Sequence, residues 1–158
     1  MLRLYRICRN VYDPGDPTGA SRTSGRWHIL GQRVLYFSSS LALCVLELKA
    51  NSVSFTAIRQ QYHYINVEIN SDKFLIEEVP ESFYSGKQSP REKNWIMNRQ
   101  LTQEYGKEWF MSGRSFILKI HSAVLPTDSN FVLNTTHPHF TGLNFPDSKD
   151  IPLDPRVK

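Results

Sequence analysis

Long hydrophobic runs, cysteine clusters and stretches of basic residues are all missing from this 158-residue sequence. No apolar run approaches the ~18–20 residues that cross a bilayer, and the first residues lack the apolar stretch of a signal peptide, so we expect a cytoplasmic protein without membrane contact. Cys8 and Cys44 stand singly among apolar neighbours, which favours buried thiols in a reducing compartment over a disulfide. The 19 Lys and Arg exceed the 15 Asp and Glu only modestly and do not cluster, so direct nucleic-acid contact is not expected.

Several familiar catalytic signatures are also missing from the chain. It has no glycine-rich dinucleotide fingerprint, no P-loop, no paired Cys-x-x-Cys and no His-Glu-x-x-His helix. Three of its five histidines, His121, His137 and His139, lie near one another in sequence, but no acid or cysteine stands beside them at ligand spacing. The sequence therefore predicts no metal site.

What is present indicates one α+β domain over residues 1–158: a single compact unit with a mixed or antiparallel twisted sheet and flanking helices. Strands and helices interleave irregularly, without the steady alternation typical of a parallel sheet. The pattern predicts strands at 2–7, 63–69, 74–76, 115–120 and 130–133, a hairpin made by 27–30 and 34–37, a capped apolar helix at 41–50, and a helix from the Ser89-Pro-Arg-Glu92 signature to about Tyr105, where Gly106 ends it.

Three residues near the amino-terminal half carry the most informative chemistry. Arg26 lies in a glycine-bordered loop, Tyr36 on the strand that follows, and Glu47 is the only acid of the apolar helix at 41–50. Arginine binds pyrophosphate oxygens, tyrosine offers a flat face to a planar base, and a carboxylate can hold a ribose hydroxyl while stabilising a cationic sugar transition state. The set fits cleavage of an N-glycosidic bond in a dinucleotide.

Each of the three residues also has an ordinary structural interpretation. Arg26 can stack on Trp27 or pair with a surface acid. Tyr36 can be a core residue whose hydroxyl is satisfied internally, and Glu47 can be the buried partner of an arginine. The pattern of these residues alone leaves both interpretations open.

A wider set of motifs resembles the RES domain family: Leu4-Tyr-Arg-Ile7, Gly19-Ala20, Gly25-Arg-Trp27, Val34-Leu-Tyr-Phe-Ser38, the Glu47 helix, Ser122-Ala-Val124, Asn130, Asn134, His137-Pro138 and Asp154-Pro-Arg156. The arginine, glutamate and serine for which that family is named correspond to Arg26, Glu47 and Ser122. The resemblance implies an ADP-ribosyltransferase-like fold and the toxin of a bacterial toxin–antitoxin pair, which forms a hetero-oligomer with an Xre-like helix-turn-helix antitoxin. It also implies that NAD+ is consumed as a substrate, with no permanent cofactor.

On this resemblance, we expect the catalytic group to comprise Glu47, Arg26 and Tyr36. Arg26 would anchor the NAD+ pyrophosphate, Tyr36 would pack against the nicotinamide side, and Glu47 would hold the nicotinamide ribose. Three further residues are expected to bind substrate: Ser122, Trp27 and Ser38. For Ser122 the alternatives are a bond to the nucleotide, orientation of its loop, or a hydroxyl that caps its own backbone.

The acceptor of the ADP-ribosyl group stays open at this point: water, inorganic phosphate or a protein side chain. A different class of function is a non-catalytic partner that docks the antitoxin. The sequence departs from the family pattern at Ser24, where a glycine is usual, at His121, where a proline is usual, and at Thr135 in the segment Asn134-Thr-Thr-His-Pro138. His121 introduces an imidazole beside Ser122.

Overall fold

A mixed seven-stranded sheet organises the part of the chain that the computed structural model describes, residues 1–85 and 94–158. Its order is β4-β5-β6-β2-β1-β3-β7, in which only β4 and β5 run parallel. The strands are β1 Leu2–Arg9, β2 Val34–Ser38, β3 Tyr62–Ile69, β4 Ile76–Glu78, β5 Ile117–His121, β6 Ser129–Asn134 and β7 Lys149–Asp150. The α-helices are α1 Thr18–Ser21, α2 Leu41–Ala50, α3 Phe55–Gln61, α4 Glu81–Tyr84 and α5 Arg99–Ser112. The predicted fold class is confirmed.

The sheet splits between β2 and β1. β1 pairs with β3 along its whole length, from Leu2 opposite Ile69 to Arg9 opposite Tyr62. Its pairing with β2 is limited to Tyr5 opposite Ser38. Beyond that point the two halves of the sheet separate, and backbone groups that a continuous ladder would use become available to side chains and ligands.

Successive side chains of a strand point to opposite faces of a sheet, and in this sheet apolar side chains lie on both faces. Leu35, Phe37, Phe131 and Leu133 belong to one core cluster, which the carboxy-terminal segment covers with Leu143. Val34, Val132, Leu118 and Ile120 belong to the other, which contains Trp27, Trp95 and Trp109. Both faces of β2, β5 and β6 are therefore buried.

Helix α2 begins and ends where the sequence predicts. Ser40 accepts the Leu43 N–H and caps the first turn, as hydroxyl side chains at this position do. Its apolar surface is only partly buried: Leu43 and Cys44 are buried, whereas Leu46 is 39% exposed. Because α2 packs on the sheet from one side only, Glu47 reaches the split in the sheet without crossing a core.

Two local predictions were wrong. Residues 27–30 form no strand, so the predicted hairpin does not exist; β2 pairs instead with β6 and β1. Gly106 does not end its helix, because α5 continues to Ser112 and ends at Gly113, in the left-handed conformation that favours glycine. A side chain at Gly106 would overlap the Trp27 carbonyl, so close packing explains this glycine.

The predicted helix start at Ser89-Pro-Arg-Glu92 lies outside the described residues. In the described part, α5 begins at Arg99, where the Asn98 side chain accepts the Leu101 N–H. None of the described helices has the length and hydropathy that a membrane span requires.

Candidate active site

Two hollows meet at the split in the sheet and share a wall made by Tyr36, Glu47 and Asn130. The first has a volume of about 220 Å³ and is bordered by Arg6 and Ser38. The second, of about 100 Å³, is bordered by Arg26 and His121. The three predicted catalytic residues, Arg26, Tyr36 and Glu47, therefore come together, although they lie on a loop, a strand and a helix.

The Glu47 carboxylate is fixed in place through one of its two oxygens. Its Oε1 accepts the Ser122 hydroxyl at 2.7 Å and the Asn130 amide Nδ2 at 2.6 Å. Two short hydrogen bonds to the same oxygen fix the orientation of the carboxylate. Oε2 has no partner among the described residues and is the oxygen that a bound ligand can use.

Strand register decides which way the Asn130 amide points. β2 and β6 pair so that Ser38 lies directly opposite Asn130. The Ser38 hydroxyl donates to Asn130 Oδ1 at 2.7 Å, which leaves Nδ2 to face Glu47. Ser38 was predicted to bind substrate; it lines the first hollow, and in this structure its hydroxyl orients the asparagine.

Ser122 is a buried residue that holds the Glu47 carboxylate in position. Its side chain is 0% exposed, and its oxygen also accepts the backbone N–H groups of Val124 and Leu125 at 3.1 and 3.0 Å. The hydroxyl hydrogen is thereby left for Glu47. Direct contact of Ser122 with a nucleotide, one of the predicted roles, does not fit this burial; the geometry gives it a positioning role through Glu47 and the loop after β5.

Arg26 lies in a tight turn closed by the bond from Gly25 N–H to the His28 carbonyl. One guanidinium nitrogen, Nη1, donates to the Ile96 carbonyl at 2.6 Å, and the group lies 6.0 Å from the Trp95 ring centre. Burial lowers the pKa of Arg26, the neighbouring Arg99 cation adds to that effect, and Glu47 acts against it. The aromatic neighbour of the guanidinium is Trp95, whereas stacking on Trp27 was the structural alternative suggested by the sequence.

Tyr36 contributes its ring, because its hydroxyl is already engaged. The hydroxyl accepts the Trp27 N–H at 3.2 Å and lies 2.7 Å from His28 Nδ1. His28 Nε2 faces the carbonyls of Ala20 and Thr23, so this nitrogen carries the hydrogen and Nδ1 accepts from Tyr36. Burial raises the pKa of the tyrosine hydroxyl, which therefore stays protonated.

The Gly-Arg-Trp motif has a packing explanation at both of its ends. A Cβ on Gly25 would overlap the His28 ring and crowd the Tyr36 hydroxyl. Trp27, predicted to bind substrate, is 1% exposed and packs against Phe83, Trp95 and other aromatic rings, although it borders the second hollow. Its indole supports the turn that presents Arg26.

Two site residues were missed as functional groups, although both stand in the motifs quoted above. Arg6, on β1, donates from Nε to the Pro14 carbonyl at 2.8 Å and from Nη1 to the Tyr36 carbonyl at 3.1 Å, across the split in the sheet. Burial lowers its pKa, and no described carboxylate pairs with it. The available signal was an arginine that stands between apolar residues of a strand, since arginine is seldom taken out of solvent unless a partner compensates its charge. Asn130 had no signal beyond its place in the motif.

The described residues include no group of three or more His, Cys, Asp or Glu placed to hold a metal ion. The residues around the two hollows supply guanidinium, carboxylate, amide and hydroxyl groups, together with the His121 imidazole and the Cys44 thiol. They suit an anionic ligand that also carries hydroxyl groups.

Comparison with known proteins gives the chain its family. The sequence matches the RES domain over residues 3–154. The chain belongs to the RES domain family. A RES relative named Toxin Res, from Yersinia enterocolitica, is 27% identical over 162 residues, covering 99% of this chain and 100% of that protein. Another Toxin Res, from Photorhabdus laumondii, is 29% identical over 133 residues, 83% of this chain and 80% of its own length.

Two further comparisons extend this result. A protein named Prs ADP-ribosylating toxin, from a Sphingobium strain, is 26% identical over 165 residues, 98% of this chain and 95% of that protein. A chain in the crystal structure of the M. tuberculosis MbcT–MbcA toxin–antitoxin complex superposes with a TM-score of 0.70 at 17% identity, covering 94% of this chain and 83% of that one. At this identity the structural match establishes the fold.

Proposed function

We propose that this RES protein is a toxin that cleaves the bond between nicotinamide and ribose in NAD+. The observation that carries the proposal is the Glu47 carboxylate, held by Ser122 and Asn130, between two partly buried arginines at the split in the sheet. The family membership and the relatives named as toxins support the same conclusion.

The charges of the site match those of the proposed substrate. NAD+ has two anionic phosphates next to two riboses and a cationic nicotinamide ring. Arg6 borders the first hollow and Arg26 the second, and neither forms an ion pair within the described residues. Partly buried cations whose only partners are carbonyl groups favour an anionic ligand, which would compensate their charge. We assign the pyrophosphate to Arg26, with Arg6 as a second cation on the opposite side of Glu47.

The reaction follows from how the carboxylate is held. Glu47 Oε2 accepts a hydroxyl of the nicotinamide ribose, which fixes the sugar beside a negative charge. As the bond from C1′ to the nicotinamide nitrogen lengthens, positive charge develops on the ribose ring, and the carboxylate stabilises it. The nitrogen keeps the electron pair of the broken bond, so nicotinamide leaves as a neutral molecule. Tyr36 lines both hollows, and its ring gives the nicotinamide a flat surface.

The same first step leads to three products, according to the acceptor. Water gives ADP-ribose and phosphate gives ADP-ribose 1-phosphate. A protein nucleophile gives a modified target, the outcome suggested by the relative named as an ADP-ribosylating toxin.

We further propose that an antitoxin, of the Xre-like helix-turn-helix type, inhibits the protein by covering this site. Large apolar side chains remain exposed at positions adjoining site residues: Leu46 (39%) precedes Glu47, Leu125 (41%) donates its N–H to Ser122, and Met97 (81%) follows the Ile96 that binds Arg26. Exposed apolar groups around a polar cleft are typical of a surface that a partner covers. The structural relative comes from a toxin–antitoxin complex.

The direct test is to incubate the purified protein with NAD+, with and without phosphate, and to separate the products by chromatography. We expect the wild type to release nicotinamide. In Glu47→Gln, which removes the charge of the side chain and keeps its shape, the rate of release should fall at least about 100-fold. Intact NAD+ in every condition would contradict the proposal.

Matched controls come from an ion pair elsewhere on the sheet. Arg3 and Glu68 form an exposed pair at 2.7 Å between β1 and β3. Glu68→Gln and Arg3→Ala remove the same chemical groups as Glu47→Gln and Arg26→Ala, yet should leave turnover unchanged. In cells, expression of the wild type and both controls should arrest growth, while Glu47→Gln and Arg26→Ala should relieve the arrest. If the protein only binds the antitoxin and has no catalytic activity, we expect no growth arrest in any strain. Circular dichroism checks that every variant folds.

A further inference from the structure

His121, at the end of β5, borders the second hollow together with Arg26, Glu47 and Asn130. It is not among the residues that hold Glu47. Three contacts fix its position. Its backbone N–H donates to the Tyr84 hydroxyl at 2.9 Å, its ring stacks on the Tyr84 ring at 3.9 Å and 3°, and its Nε2 lies 2.8 Å from Glu81 Oε1.

These contacts determine which nitrogen of the neutral imidazole carries the hydrogen. Because the Glu81 carboxylate only accepts hydrogen bonds, the hydrogen of the neutral ring resides on Nε2. Nδ1 then carries the lone pair, and it has no partner among the described residues. A carboxylate that orients a histidine through one nitrogen, with the other left as a base, is the arrangement used in general-base catalysis.

Resting on the function proposed above, we infer that His121 is the general base that activates water, so that this protein hydrolyses NAD+. The hollow of about 100 Å³ has room for water beside the Glu47 wall. The water oxygen forms a bond to C1′ as the C1′–nitrogen bond breaks, and nicotinamide leaves with the electron pair of that bond. His121 Nδ1 takes the proton of the water and later releases it to solvent. The products are ADP-ribose, nicotinamide and one proton.

The groups around His121 are consistent with this role. Glu81 and Tyr84 face it from α4, Trp95 lies edge-on at 6.4 Å, and Glu47 and Arg26 border the same hollow. The His121 side chain is 24% exposed, which leaves a route by which solvent can collect the proton.

Inorganic phosphate provides the discriminating comparison, because it is already an anion and needs no base in order to attack C1′. For His121→Gln we expect ADP-ribose formation to fall by about 100-fold, the lower end of the usual range for loss of a general base, while ADP-ribose 1-phosphate formation in saturating phosphate changes by less than about threefold. Azide, another anionic nucleophile, should restore cleavage by this variant. Glu81→Ala, which removes only the orienting carboxylate, should lower hydrolysis by less than His121→Gln.

Each other outcome has a definite meaning. Equal loss of both products in His121→Gln would show a structural role, and unchanged hydrolysis would show that no base is needed at this position; either result overturns the inference. Wild-type protein that forms only the 1-phosphate also overturns it, while the proposed NAD+ cleavage stands. Wild-type protein that leaves NAD+ intact with water, phosphate and azide overturns both.

Discussion

Replacing Asn130 with aspartate tests the hydrogen-bond network around Glu47 without assuming any substrate. The Nδ2 donor, 2.6 Å from Glu47 Oε1, becomes an oxygen, so two carboxylates then face each other. At that separation, repulsion between two unit charges is about 6 kcal/mol at an effective dielectric constant of about 20, and about 2 kcal/mol in bulk water. The Ser38 hydroxyl can still donate to the other oxygen, so the change is confined to one contact.

The pair relieves this repulsion by binding one proton, so its upper apparent pKa rises above the value in the unfolded chain. The folded state therefore binds more protons, and the variant loses stability as the pH rises from about 4 through that raised pKa. We expect the free energy of unfolding of Asn130→Asp, relative to Asn130→Ala, to fall by about 2–6 kcal/mol between pH 4 and pH 8.

Urea titrations at several pH values measure this difference. Asn130→Ala is the matched control because it loses the same donor without adding a charge. If the two variants keep a constant difference in stability across the pH range, Glu47 and residue 130 do not face each other as the structure shows, and the account of the site would have to be abandoned.

Two further predictions concern packing and a surface ion pair. Gly106→Ala should lower the free energy of unfolding by at least about 3 kcal/mol, because the added methyl overlaps the Trp27 carbonyl. The control is Gly19→Ala, where the added methyl has no neighbouring atom within 4 Å and should change the free energy of unfolding by less than about 1 kcal/mol. Equal effects of the two variants in thermal melts would argue against the close approach of α5 to Trp27. Arg114 binds both oxygens of Glu77, at 2.7 and 2.8 Å, and lowers the pKa of that carboxyl. The pair therefore stabilises the fold above the carboxyl pKa of the unfolded chain, about 4.3, and this contribution is lost as the pH falls through the lower folded pKa. Glu77→Gln should accordingly be less stable than the wild type at pH 7 and should match it near pH 2; a difference that persists in acid would mean that packing, and not the ion pair, explains the loss.

Local sequence determined the elements whose side chains follow a regular period. Strands at β2, β3, β5 and β6 were predicted because branched and aromatic residues alternate or cluster there, and α2 because its hydroxyl cap and helix-forming residues act within a few positions of one another. The sequence pattern did not predict the local structure where a contact between residues far apart in the chain fixes the backbone. The Gly25–His28 turn depends on Tyr36 and on the carbonyls of Ala20 and Thr23, and Gly106 is accommodated inside α5 because Trp27 presses against it.

The candidate site shows the same division. Arg26, Tyr36 and Glu47 were selected from the sequence because their chemistry is unusual for their surroundings, and those choices needed no coordinates. Which oxygen of Glu47 is free, that Ser122 is buried behind it, and that Arg6 reaches the split from β1 depend on strand pairing and side-chain contacts between residues up to 83 positions apart. A linear pattern records which groups are available, whereas hydrogen bonds within about 3 Å depend on where the folded backbone places them, and only the tertiary structure decides that.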